Sequence, residues 1–178
     1  GHSSGSKMEQ KLKREPLGKG FFVYVTPHHT SGTDAILLSH FASAKPKDRM
    51  VDLGTGCGII PLLMLRDNKL LTAVGVDISD EATVIASKTV KDQKIENFKI
   101  INSNLTDLKG KVEFGFHTLV TCNPPYKAPN GGLKNPDRVL EVARHETECT
   151  LEDIVSVGAK LLQTGGRLCM CHRPERLA

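Results

Sequence analysis

The sequence predicts an α/β fold with a central, mostly parallel sheet and helices on both faces. Three observations carry that expectation. First, Met50 to Leu65 reads as strand, glycine-rich turn, helix, with Gly54, Gly56 and Gly58 in the turn. Second, Leu71 to Ile78 is an apolar, β-branched run that ends in an acid, Asp77, 19 residues beyond Gly58. Third, Thr118 to Cys122 is another such run, and it stops at Asn123-Pro124-Pro125-Tyr126. Strands alternating with helical patterns form parallel sheets, whose ligands collect at the carboxyl ends of the strands.

The totals are those of one globular domain. The chain has 178 residues, 39% of them hydrophobic and 25% charged, which sets aside disordered and fibrous classes. Its longest apolar run, Ile59 to Leu65, contains Pro61 and is too short to span a bilayer, so no membrane partner is expected. Cysteines 57, 122, 149, 169 and 171 are odd in number and sit mostly in apolar runs, which implies reduced thiols and a cytoplasmic location. Cys169-Met170-Cys171-His172 lacks a second pair at zinc spacing, so core packing is expected there and no metal. A formal charge of +4 permits a nucleic-acid partner without requiring one.

In chain order, residues 1–7 read as an expression-tag remnant and residues 8–30 as an N-terminal arm followed by a short strand. The stretch from Lys7 to Lys19 is polar, basic and aperiodic, and a flexible arm is expected; Phe21 to Val25 is the strand. Ser31 or Thr33 is placed to cap a helix over Asp34 to Ala42. A helix over Ser79 to Val90, a strand at Phe98 to Ile101 and the turn Asn102-Ser103-Asn104-Leu105 follow. Lys127 to Arg138 is a loop rich in Gly and Pro, a candidate lid. Thr150-Leu151-Glu152-Asp153 is a capping box for a helix reaching about Leu162, which Gly165-Gly166 ends before a fifth strand over Arg167 to Cys171.

The tetrapeptide carries the chemistry. Asn123 offers an amide acceptor, Pro124 a carbonyl with no N–H, and Tyr126 a flat face. Together they suit a planar amine, held by hydrogen bonds to Asn123 and Pro124 and stacked on Tyr126. The glycine turn departs from the dinucleotide pattern, because its third glycine would have to stand where Ile59 is. Asp77 can accept ribose hydroxyls, or serve as the anion at the following helix N-terminus.

With Asp52-Leu53-Gly54-Thr55-Gly56-Cys57-Gly58, then Asp77, then Asn123-Pro124-Pro125-Tyr126 in that order, the chain resembles the Rossmann-like class I amino-methyltransferases. Within them it resembles the bacterial valine-tRNA adenine-N6 methyltransferase family. The closer likeness is carried by Ser31 to Leu38, Ala143-Arg144-His145-Glu146 and His172 to Leu177. The resemblance implies S-adenosylmethionine as cofactor, with Asp52, Gly54, Thr55, Gly56, Gly58, Asp77, Ile78, Asn104, Leu105 and Asn123 at its site. Asn123, Pro124 and Tyr126 are the implied catalytic residues, and a tRNA adenine beside the anticodon the implied substrate. Family members commonly carry Asp where Asn104 stands, and the amide oxygen of Asn104 is expected to accept from the cofactor adenine. Complete members have two further strands, so residues 31–178 are expected to form a methyltransferase domain that stops after its fifth strand. Two other readings stay open: methylation of a glutamine amide in a translation release factor, and a nucleotide- or RNA-binding module without catalysis.

Overall fold

A computed structural model describes residues 12–123 and 149–170. Its centre is a five-stranded sheet in the order β5-β4-β3-β6-β7, in which every neighbouring pair is parallel. The strands are β3 (Arg49–Leu53), β4 (Thr72–Asp77), β5 (Phe98–Asn102), β6 (His117–Cys122) and β7 (Leu162–Met170). An antiparallel pair, β1 (Lys13–Gly18) and β2 (Phe21–Val25), stands beside it. Four helices are described: α1 (Thr33–Ala42), α2 (Ile59–Asp67), α3 (Asp80–Asp92) and α4 (Leu151–Leu161).

Side-chain alternation divides the core into two layers. Met50, Ala73 and Leu119 point to one face, where they join Ala35 and Leu38 of α1, Ile59 to Leu65 of α2 and Ile85 of α3. Val51, Leu53, Val76, Val120 and Cys122 point to the other, against Leu105, Leu108 and Val112 and against Ile154, Val157 and Leu161 of α4. Strands buried on both faces are why these runs are continuously apolar.

Sequence and structure differ at three places. The expected flexible arm is a strand from Lys13 to Gly18, with Leu12 and Leu17 packed on the first core layer. Its order comes from distant partners: the Arg14 guanidinium lies 3.7 Å over the Phe22 ring, and Arg66 donates to the Leu17 carbonyl at 2.7 Å. Charged residues mask this strand from a periodicity argument. Neither Ser31 nor Thr33 caps α1; Gly32 is the N-cap without a side-chain bond, and the Ser31 hydroxyl donates instead to Glu15 at 2.5 Å. Finally, β7 begins directly after α4 at Leu162. His117 pairs with Leu162 and Leu119 with Arg167, so residues 163–166 bulge from the ladder around Gly165, whose φ is 84°. Cys171 lies outside the described residues.

The Thr150 capping box forms as expected, with the Thr150 hydroxyl accepting from the Asp153 amide and the Asp153 carboxylate from the Thr150 amide. Ser79 caps α3 by accepting from Ala82 N at 3.2 Å.

Candidate functional site

The chain starts its sheet in the middle, runs outward through β4 to β5, and returns to β6 on the other side of β3. That reversal opens a crevice between the carboxyl ends of β3 and β6. Leu53 and Cys122 are paired in the register there, so Gly54 and Asn123 are the next residues on adjoining strands. Neighbouring strands lie about 5 Å apart. The turn and the tetrapeptide, 69 residues apart in sequence, therefore meet at one edge.

The turn is held from below and left open above. The amides of Gly54 and Thr55 both donate to the Val76 carbonyl, at 2.8 and 2.9 Å. Gly54 and Gly56 have φ of 71° and 58°, and a Cβ on either would meet nothing within 4 Å. Both are backbone surfaces that a ligand can approach closely, in a conformation that L side chains rarely adopt. Gly58 differs: at φ 87° its missing Cβ would meet the Phe98 ring at 3.2 Å, so it packs α2 onto the sheet. Thr55 is 3% exposed, and its side chain fills the space over Gly75, where an added Cβ would meet Thr55 Oγ1 at 2.9 Å.

Asp77 closes the adjoining side. Its Oδ2 accepts from Gly56 N at 2.8 Å and its Oδ1 from Ser79 N at 2.9 Å. One carboxylate thus ties the glycine turn to the start of α3, where the helix N-terminal role expected of it is filled and the bond to Gly56 is an addition. Asp52 lies beneath the turn, 1% exposed, with Oδ1 accepting from the Thr121 hydroxyl at 2.8 Å. Burial pushes its carboxyl up to about 7, against lowering by the Thr121 and Thr55 hydroxyls, and the charge of Asp77 adds to the rise.

At the end of β5, Ser103 N donates to the Asp77 carbonyl at 3.0 Å. The Asn102 amide donates to the carbonyls of Asp77 and Ile78, at 3.2 and 3.3 Å, which fixes the two strand ends together. Asn104 is half-buried and its side chain is held within its own turn. Its Oδ1 accepts from Thr106 N at 2.9 Å and from the Thr106 hydroxyl at 2.8 Å, with Cys149 Sγ at 3.8 Å. The oxygen expected to meet an adenine amino group is thus engaged in its own turn. Leu105 is buried in the second core layer, Ile78 is half-buried beside Asp77, and Asn123 is half-buried. Pro124, Tyr126, Arg144, His145 and the candidate lid lie outside the described residues.

Asn102, Gly75 and Thr121 support the site without having been expected to. An isolated glycine inside an apolar strand is the one sequence signal among them, since it marks a close approach. Among the described residues, no group of three or more His, Cys, Asp or Glu is placed to hold a metal, and no helix is long and apolar enough to cross a membrane.

The cofactor implied by the sequence resemblance fits this edge. An open glycine backbone beside a half-buried strand-end acid suits a nucleoside that carries positive charge, whereas that acid opposes a pyrophosphate.

The chain is 29% identical over 140 residues to a tRNA1(Val) (adenine(37)-N6)-methyltransferase of Parabacteroides distasonis, covering 78% of this chain and 57% of the relative. It is 30% identical over 156 residues to the Porphyromonas gingivalis enzyme of the same name, covering 82% and 59%. The chain therefore spans less than two thirds of the length of these curated relatives. Among solved structures, it matches a SAM-dependent methyltransferase from Thiobacillus denitrificans in complex with S-adenosyl-L-homocysteine. The TM-score is 0.54 at 18% identity, over 80% of this chain and 49% of that one. A geranyl diphosphate C-methyltransferase from Streptomyces coelicolor matches with a TM-score of 0.58 at 20% identity, over 76% and 43%. These two likenesses concern the fold. A family model described as the methyltransferase small domain matches residues 23–176, which include every described site residue, and the chain belongs to that family.

Proposed function

We propose that this chain is the cofactor-binding and catalytic domain of a cytoplasmic enzyme that transfers a methyl group from S-adenosylmethionine to the exocyclic N6 of a tRNA adenine. The adenine beside the anticodon of a valine tRNA is the specific target, by analogy with the named relatives. The observation that carries the reading is the pairing of Leu53 with Cys122, which sets the open glycine turn against Asn123.

S-adenosylmethionine supplies a methyl group already activated on a sulfonium, so the protein's work is placement and exclusion of water. Gly54 and Gly56 present bare backbone to the methionine end, and Asp77 faces the ribose. Asn123 accepts one hydrogen of the amine and the Pro124 carbonyl the other. These bonds strengthen as positive charge develops on nitrogen, and they aim its lone pair along the transfer axis. Tyr126 stacks on the base, and stacking of about 1–3 kcal/mol offsets much of the cost of extruding it. No side chain is assigned as general base. Lys127, Lys134, Arg138 and Arg144 follow the tetrapeptide in sequence and supply phosphate contacts in this reading.

The test gives the full-length protein methyl-labelled S-adenosylmethionine with unmodified tRNA and, separately, with release factor. Label recovered as N6-methyladenosine supports the proposal. Label recovered as N5-methylglutamine replaces it with the protein-methylating alternative, and transfer to neither overturns both.

A further inference from the structure

Polar groups beneath the glycine turn do not balance. Asp52 Oδ1 has the Thr121 hydroxyl, but Asp52 Oδ2 and Thr55 Oγ1, both buried, have no hydrogen-bond partner among the described residues. The Thr55 hydroxyl lies near enough to lower the proton affinity of the carboxyl without reaching hydrogen-bond geometry.

The surroundings of this carboxyl are drawn from the turn, the neighbouring strands and α2. From β4 it faces a second carboxylate, Asp77. Cys57 of the turn and Cys122 of β6 are within its electrostatic reach, and burial raises both thiols far enough to keep them neutral. β5 contributes Ile100 in the same register row, and β7 contributes Cys169, also raised by burial. Over it, α2 offers only apolar side chains from Ile59 to Leu65. Among the described residues, no lysine or arginine shifts Asp52. A carboxylate out of water, beside another and without a counter-cation, is electrostatically unstable, and one proton removes the penalty.

On the reading of this edge as an S-adenosylmethionine site, we propose that Asp52 holds a proton in the cofactor-free protein and releases it when a sulfonium is bound. The carboxyl thereby favours the methyl donor over the demethylated product. The proton leaves Oδ2 for solvent and the sulfonium takes over as counter-charge; no bond within the cofactor changes. S-adenosylhomocysteine keeps the mutually neutralising ammonium and carboxylate of the methionine end but has a neutral thioether, so with no net positive charge in the bound product Asp52 keeps its proton. Asp52 acts through the field at the turn and touches neither ligand.

The sign follows from linkage. Donor binding that expels a proton strengthens as pH rises through the carboxyl's pKa and levels off above it. For a pKa near 7 and release of one proton, donor affinity rises about tenfold between pH 6 and pH 8. Affinity for the product stays level across that range.

Titration calorimetry of the whole chain, in buffers of different ionisation enthalpy at pH 7, counts the protons. The expected result is about half a proton released per S-adenosylmethionine and none per S-adenosylhomocysteine, with the release abolished in Asp52→Asn. Product binding by Asp52→Asn reports that the variant is folded. Difference infrared spectroscopy on the unaltered protein needs no variant: the band of a protonated carboxyl should vanish with donor and persist with product. Equal proton release for the two ligands, or a ratio of affinities independent of pH, overturns the proposal while leaving the cofactor reading intact. Failure of both ligands to bind overturns the cofactor reading itself.

Discussion

Gly56 donates its backbone amide to Oδ2 of Asp77 at 2.8 Å, across 21 residues of sequence, while Oδ1 of the same carboxylate accepts from Ser79 at 2.9 Å. The acid at the end of β4 is therefore part of the architecture of the glycine turn as well as the group proposed for a ribose. Replacing Asp77 with Ala should weaken S-adenosylmethionine binding at least tenfold in calorimetry. It should also lower Tm by several degrees, because two backbone donors lose an ionised acceptor worth about 1.5–3 kcal/mol each. Unchanged affinity would remove Asp77 from the cofactor site.

Asn123→Ala tests the other side of the crevice. Asn123 follows the strand end paired to Leu53 and is assigned to the amine rather than to the turn. Methyl transfer should fall by a factor of 100 or more, the order associated with loss of one preorganised transition-state contact. Donor affinity should change by less than a factor of about three, since a contact to the acceptor contributes little to binding of the donor. Single-turnover kinetics and calorimetry separate the two quantities, and near-normal transfer would end the assignment.

Gly75→Ala probes the packing beneath the turn. An added Cβ would stand 2.9 Å from Thr55 Oγ1 and Cγ2 and 3.0 Å from the Phe98 ring, distances that demand movement. Destabilisation of about 1–3 kcal/mol is expected, together with weaker cofactor binding as the turn lifts. Adding Thr55→Ser removes one of the clashing atoms and should recover part of the stability. Strict additivity of the two substitutions in a urea-denaturation cycle would show that they do not interact.

His117 sets a pH dependence of stability. It is buried at the start of β6, edge-on to the Phe116 ring at 5.2 Å, with neither ring nitrogen in a hydrogen bond among the described residues. Burial lowers its pKa, with Arg49 adding to the fall and the Glu113 carbonyl and carboxylate opposing it. The folded protein therefore prefers neutral imidazole. Its stability contribution is complete above the unfolded pKa near 6.5 and declines as pH falls through that value toward the lower folded one. The urea midpoint should drop between pH 7 and pH 5.5, and His117→Phe should flatten the drop. An equal slope in both proteins would place the titrating group elsewhere.

Local pattern determined a large part of this protein: the order of strands and helices from Phe21 onward, the Thr150 capping box, and the positions of the glycine turn, Asp77 and Asn123. Those features are legible because alternation, capping and turn chemistry act over a few residues, and strand ends mark the ligand edge of a parallel sheet. Tertiary structure alone decided what rests on partners far away in the chain. Lys13 to Gly18 became a strand because β2, Phe22 and Arg66 receive it, not because of its own periodicity. Asp52, which the family resemblance grouped with the cofactor ligands, came to lie beneath the turn because β4 and β6 bury its strand on both sides. There, solvation and neighbouring charge, which no linear spacing encodes, set its chemistry.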